Sequence, residues 1–504
     1  MRRRVPGASL LLLLAMLATA SSFPATAAVP ATAVHAGPAM GVHAIRAAAK
    51  GGPGTWTKIA KVDTGGVYPG LFRTSDGKLH VLWRKQIQNN NFAYGYTTVA
   101  LNGATSNTGT ALNNWESLGF DPVLVHNGNG MRALFEGGID TSGGFFSRGS
   151  VYTLTSPPAG TAWNLPQQSV MQHATLNGTF TATAEQDDTP VAVAALNAEL
   201  FIHEGLDNSA PAAAADKTVS LPSGDYFNQS ATTASDDSVW VAYFRAFSNP
   251  QSLDGYYVQQ VLPTKGQPMK APASHVNNID NEPRQAVAIA ARNQGGLYLA
   301  YCAPSQTKTC AHVDLWKVGS ASPMVVPGTS SGTITRVALA DGLQGRISVV
   351  TMDPTKETIN AVRTNTNASA FGPVRTIKLP NGQIAFNTLE AEGTFGRLDI
   401  VANLTSTNSP FPVFLWHTQI LAGLTLTANP TKFSHVGQHT VTFTVKDAGQ
   451  PVQGAKVSCI GKTGMTNSSG QVQLTYPNGT AKGKHVCSAN DTNYNPGKAT
   501  LTVT

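Results

Sequence analysis

The chain has 504 residues, only 12% of them charged, and a formal net charge of +7. That length exceeds one compact core and implies at least two domains, while the 41% hydrophobic share is enough to bury a large core and argues against disorder. Without Arg2, Arg3 and Arg4 of the leader the charge falls to +4, which gives no footing to nucleic-acid binding.

Residues 1–27 read as a secretion signal: Arg2–Arg4, an apolar run from Leu10 to Ala18, then Ala25-Thr26-Ala27 as an A-x-A cleavage site. The apolar run is too short for a stable bilayer anchor, and no later stretch is long and apolar enough to span a membrane. The expected location is therefore secreted and extracellular, with no transmembrane anchor. Residues 28–53, rich in Ala, Pro and Gly, read as a flexible linker.

From Val67 to Arg84 (VYPGLFRTSDGKLHVLWR) two apolar runs are joined by Asp76-Gly77, a strong hairpin signal. The same shape returns at Asp121–Glu136, Thr181–Ala194, Thr232–Arg245, Pro283–Cys302, Thr333–Met352 and Asn387–Asn403, seven hairpins in all. Their turns fall near Gly77, Gly130, Asp188, Asp237, Gly295, Gly345 and Gly396, a mean spacing of roughly 53 residues, in the range that signals propellers or solenoids. The strands are almost continuously apolar (VWVAY, LYLAY, ISVV), as expected where both sheet faces are covered by neighbouring blades. The predicted fold class is all-β, a seven-bladed β-propeller over residues 54–420. Val191–Phe201 has helix-favouring composition and is assigned to strand because the repeat requires it.

Outer strands follow the hairpins at Phe92–Ala100 and Phe146–Thr155, and then as segments carrying Trp115 and Trp163. The seventh unit ends one strand short at Phe411–Gln419, whereas Gly54–Lys61, with Trp56, stands spare before the first hairpin. Pairing the two would close the ring and remove its open edges.

Residues 424–504 change to short alternating strands (HTVTFTVKD, QVQLTY, ATLTVT). The four cysteines form two local pairs, Cys302/Cys310 and Cys459/Cys487, which in an exported chain predicts two disulfides. Neither pair has the C-x-x-C spacing of a zinc site, so no metal site and no cofactor are expected.

The ring resembles the BNR/sialidase-like β-propeller superfamily, whose Y-R-I-P-x-L…D-G-x-L element corresponds to the first hairpin. WESLGFDPVLVHNGNGMRALFEG resembles one blade of the seven-bladed fucose-binding propeller lectins. Asp447–Val457 (DAGQPVQGAKV) and Thr466–Leu474 resemble the signature of the invasin-type bacterial immunoglobulin-like domain, which implies an immunoglobulin-like β-sandwich acting as spacer or adhesive module. Sialidase activity itself would need an arginine two residues before the entrance proline, where Val67, Phe120 and Asn281 stand, and the strict Asp box is absent.

In a propeller the starts of inner strands and the ends of second strands gather at one mouth of the channel. Those columns hold Tyr68, Asp121 and Glu282 at the entrances, then Arg84, Glu136, Arg245, Asp353 and Asn403 at the exits. Tyr68, Arg84 and Arg245 are the candidate ligand-binding residues, aromatic and guanidinium groups suited to sugar rings and anionic groups. Asp121, Glu136 and Glu282 are the candidate catalytic acids, since two carboxyls flanking a glycosidic bond suffice for hydrolysis. His80, mid-strand among apolar residues, reads as a core histidine, and Asn277–Glu282 lacks the spacing of a calcium loop. The expected partner is an extracellular glycan or polysaccharide. The function expected is lectin-like binding, with a polysaccharide-degrading hydrolase or lyase and a purely adhesive platform as the alternatives; the ligand and the oligomeric state are not written in the sequence.

Overall fold

The computed structural model describes residues 53–504 except 63–67, 89–90, 107, 116, 120, 139–149, 165–179, 197–198, 207–216, 222–224, 247–248, 275–286, 307–308, 343–344, 395 and 409–411. The predicted signal peptide and the linker up to residue 52 lie outside the described residues, as does Glu282. Among the described residues strands account for almost all regular structure, with a short 3-10 turn at Gln251–Leu253.

Seven antiparallel sheets follow one another along the chain. Blade one consists of Gly70–Arg73, Leu79–Gln88, Asn91–Val99 and Gly109–Trp115, and blade six of Arg336–Gly342, Arg346–Asp353, Thr358–Arg363 and Arg375–Lys378. The first strand of each blade touches the first strand of the next, and that of blade seven, Gln383–Thr394, touches that of blade one. This is a closed ring of seven blades, the architecture expected from the repeat. Pro190–Leu196 and Glu199–Glu204 are strands, so tertiary context overrides local helix propensity there. Every residue of Gly130–Gly138 and of Arg346–Asp353 is buried, which explains why second strands need apolar residues on both faces. Blade two departs from the expected pattern: past Ser150–Ser156 only the bridge between Thr155 and Asn164 represents its outer strand among the described residues.

The turns of the inner hairpins share one geometry. Gly77, Gly295, Gly345 and Gly396 have φ of 83°, 84°, 71° and 73°, and Asp188 and Asp237 take the same left-handed conformation at 74° and 68°, tolerated because a short polar side chain bonds locally. Asp76, Asp187 and Asp236 accept the amide two residues ahead at 3.2, 2.9 and 3.2 Å. In the second hairpin the left-handed residue is Gly128, not Gly130, which already begins a strand. Asn127-Gly128 and Asn129-Gly130 are both good turn pairs, so the sequence left the register open by two residues.

Closure is made by Thr57–Val62, which pairs antiparallel with Val413–Gly423 of blade seven. The seam between blades seven and one is locked by Asp399, which is fully buried. Its carboxylate accepts Arg73 Nη2 at 2.5 Å from blade one, and His417 Nε2 at 2.8 Å and Gln419 Nε2 at 3.1 Å from blade seven. Arg397 and Gln419 also donate to the Leu101 carbonyl, at 2.8 and 3.1 Å.

The C-terminal residues form a β-sandwich of two sheets with its own core, including Val441, Phe443, Val457, Tyr476 and Leu501. It rests on the turn end of blades six and seven. Tyr494–Asn495 pairs in parallel with Ala422–Gly423, and Asn495 Nδ2 donates to the Leu421 carbonyl at 2.6 Å. Asp447, 2% exposed, takes up Arg363 in a short ion pair and lies 3.4 Å from Arg346 Nη1.

Candidate functional site

The inner strands enclose a channel of about 720 Å³, within the usual size of ligand pockets. Gly70 allows the first two inner strands to approach, since a Cβ there would lie 2.4 Å from the Pro122 carbonyl oxygen. That approach brings the segments Tyr68-Pro69 and Asp121-Pro122 side by side at one mouth. Tyr68, Arg84, Asp121 and Glu136 all line this channel, and from other blades Gln229, Arg336, Glu390 and Glu392 join them.

The pair Asp121 and Glu136 has unusual electrostatics. Glu136 is 4% exposed and its Oε1 has no hydrogen-bond partner among the described residues. Burial, reinforced by the nearby charge of Asp121, pushes its pKa up to about 9, so the carboxyl is protonated at neutral pH. Asp121 is half-buried, and desolvation between the blades raises it to about 7 against the pull of its own backbone amide. Behind them the buried Tyr94 donates its hydroxyl to the Gly119 carbonyl at 3.1 Å, and the Gly119 amide donates to the Glu136 carbonyl at 2.7 Å. The Arg84 guanidinium lies over the Phe92 ring, 3.8 Å from its centroid, a cation–π contact that fixes its direction. One mouth therefore combines a buried carboxyl and a half-buried one, both with raised pKa values, and a positioned arginine.

Toward the turn end, Glu390 and Glu392 lie on one face of the inner strand of blade seven, while Leu389 before them and Ala391 between them are buried. Desolvation raises Glu390 to about 8 and Glu392 to about 7, the latter also through Asp341 and Asp399 and against Arg73. The strand-start column misses both residues because they lie toward the far end of Gln383–Thr394. The alternation in Leu-Glu-Ala-Glu, with acids at every second position of an otherwise apolar strand, is the signal that marks them.

Arg245 lies elsewhere. It is buried in blade four with its guanidinium 5.9 Å from the Tyr257 ring and does not line the channel, because successive strand side chains alternate between sheet faces and this one turns to the neighbouring strand. His80 is a core residue, fully buried, with Nε2 2.9 Å from Thr74 Oγ1 and Nδ1 2.6 Å from the Tyr96 hydroxyl. Asp353 caps its own blade through Thr333, Ser331 and Lys356. Both disulfides are formed: Cys302–Cys310 clamps the hairpin between the second and third strands of blade five, and Cys459–Cys487 joins neighbouring strands of one sandwich sheet. Two disulfides fit a chain that matures in an oxidising compartment. Among the described residues no group of three His, Cys, Asp or Glu side chains is arranged to hold a metal, and no helix is long and apolar enough to cross a membrane.

No protein-family model matches the sequence, and no curated protein does. Among solved structures the chain is similar to the polysaccharide lyase Uly1, at 11% identity over 71% of this chain and 90% of that one, with a TM-score of 0.41. It is also similar to a chain of the mitotic checkpoint complex, at 11% identity over 77% and 99% with a TM-score of 0.40. An α-L-arabinanase from Penicillium chrysogenum matches at 10% identity over 72% and 97%, TM-score 0.38. At such scores these likenesses carry no argument about chemistry, which rests on the channel itself.

Proposed function

We propose that the protein is an exported glycan-binding propeller whose ligand enters the mouth formed by Tyr68, Arg84, Asp121 and Glu136, and that residues 54–420 and 424–504 are its propeller and an immunoglobulin-like domain. The observation that supports this is a channel of sugar-sized volume carrying buried hydrogen-bonding groups with unmet capacity: Glu136 Oε1 and both amide atoms of Gln229 have no partner among the described residues. Buried polar groups of this kind are costly unless matched, and sugar hydroxyls, which both donate and accept, match them. Tyr68 supplies a surface for a sugar ring at the entrance.

The test is a glycan array followed by titration of the retained sugars. Tyr68→Ala is expected to weaken binding by roughly tenfold, the loss of one stacking contact, and Asp121→Asn by less, with no product formed. If both variants bind like the wild type, the mouth is not the site.

A second reading, a glycoside hydrolase, draws on the interacting Asp121 and Glu136 carboxyls, since a protonated acid beside an ionisable partner is the arrangement that cleaves glycosidic bonds. Under that reading Glu136→Gln abolishes turnover while binding survives, and product analysis on each bound polysaccharide separates the two. A lyase using His80 as base is not supported, because that ring is enclosed by Thr74 and Tyr96.

A further inference from the structure

Charge is distributed unevenly along the chain. In residues 54–423 acidic residues outnumber basic ones, whereas residues 424–504 hold seven lysines and no arginine against two aspartates and no glutamate. All seven lysines are exposed. Neither aspartate offsets them fully: Asp447 is taken up by Arg346 and Arg363 of blade six, and Asp491 accepts the Asn493 amide at 2.9 Å.

Strand pairing places four of these lysines on one outer sheet face. Lys484 pairs with Thr502, which is also the register partner of Lys432; Ser488 pairs with Lys498, and Asn490 with Lys456. Paired residues point to the same side, and Lys484, Val486, Ser488 and Asn490 alternate with the inward residues of their strand. The face thus bears one lysine on each of four neighbouring strands, with Thr, Ser and Asn between them and Val486 70% exposed. No acid and no aromatic residue interrupts it. The opposite sheet presents Thr425, Thr427, Thr440, Thr442, Gln473 and Thr475 outward, a neutral face with Lys446 near its end.

We infer that the lysine face of the sandwich binds an acidic polysaccharide. Lys432 and Lys484 stand at one level of the sheet and Lys456 and Lys498 at another, four to six residues along the strand, which is roughly 13–20 Å. One small anion cannot reach both pairs, whereas a polymer with an anionic group on successive sugars spans them. Lysine ammonium groups make point-charge contacts rather than bidentate ones, suiting a flexible polyanion. A face without aromatic residues offers nothing on which bases or neutral sugar rings would stack. The inference stands apart from the ligand proposed for the channel, so each can fail alone.

The experiment titrates the full chain with polygalacturonate, its fully methyl-esterified form, duplex DNA and phosphatidylglycerol vesicles, at low and at physiological salt. Polygalacturonate is expected to bind at low salt, to weaken as salt approaches about 150 mM, and to lose its hold on esterification. The triple variant Lys456→Glu, Lys484→Glu, Lys498→Glu should bind at least about tenfold more weakly, the triple Lys→Gln variant should fall between, and Lys446→Glu on the neutral face should match the wild type. Melting curves verify that each variant is folded. The inference is overturned if polygalacturonate does not bind at low salt, if Lys446→Glu weakens binding as much as the triple change, or if DNA or vesicles bind more tightly than polygalacturonate.

Discussion

Replacing Asp399 should loosen the ring at its closing seam. In Asp399→Leu the buried carboxylate that joins blade one to blade seven is lost, leaving Arg73, whose side chain is 9% exposed, without its counter-charge and His417 Nε2 without its acceptor. Breaking a buried pair by removing one partner costs about 3–5 kcal/mol. The lower end applies, because Arg73 Nη1 still donates to the Gly77 carbonyl at 2.8 Å and Gln419 Nε2 still reaches Leu101 at 3.1 Å. For a folded body on the order of 450 residues, the unfolding entropy is on the order of 1 kcal/mol per degree, so about 3 kcal/mol lowers the melting temperature by roughly 3 °C. Differential scanning calorimetry measures this, and the double variant Arg73→Met, Asp399→Leu should recover much of the loss, since no charge is then left buried alone. A single variant melting within about a degree of the wild type, or a double variant less stable than the single, would refute the claim that this carboxylate locks the seam.

Other outcomes follow from the same structure. Glu136, Asp121, Glu390 and Glu392 all have folded pKa values raised above their unfolded ones, so their contribution is greatest below the unfolded values and declines as pH rises toward about 9; melting temperature should fall between about pH 5 and pH 9, and Glu136→Gln should flatten part of that fall. Deleting Thr57–Val62 uncovers the edge strand Val413–Gly423 and should cause aggregation on heating, seen by light scattering; a clear, unchanged melt would speak against its role as latch. Both cysteine pairs should resist alkylation until reduced, as mass spectrometry of the intact protein will register. Asp447→Ala should strand Arg346 and Arg363 at the base of the sandwich and lower the melting temperature comparably to the Asp399 change.

The fold was legible because its unit repeats. Six of the seven turn positions read from Asp-Gly, Asp-Asp and similar pairs have left-handed backbone as their turn type requires, and the seventh slipped only where two Asn-Gly pairs adjoin. The spare Trp56 strand found its place by counting, since a ring short of one strand has one vacancy. The site was less legible. Strand-end columns brought Tyr68, Arg84, Asp121 and Glu136 to one channel, yet the same rule included Arg245, whose side chain turns toward Tyr257. Whether a strand-end side chain faces the axis or the neighbouring strand depends on its phase within the pleat, and a shift of one residue reverses it. Glu390, Glu392, Arg336 and Gln229 went unnoticed because depth in the channel depends on where each strand begins, which repeat spacing does not fix to the residue.

The clamp on Asp447 also determines what the two halves of the chain can reach at once. Arg346, Arg363 and Arg397 hold the sandwich at the turn end of blades six and seven, whereas Tyr68 and Asp121 open at the opposite end of the channel. A parallel strand pairing and a buried ion pair tie the base of the sandwich to the propeller. Were the sandwich to hold an acidic polymer as inferred, the mouth at Tyr68 and Asp121, at the other end of the channel, would remain available for the glycan proposed there, and one molecule could join two materials.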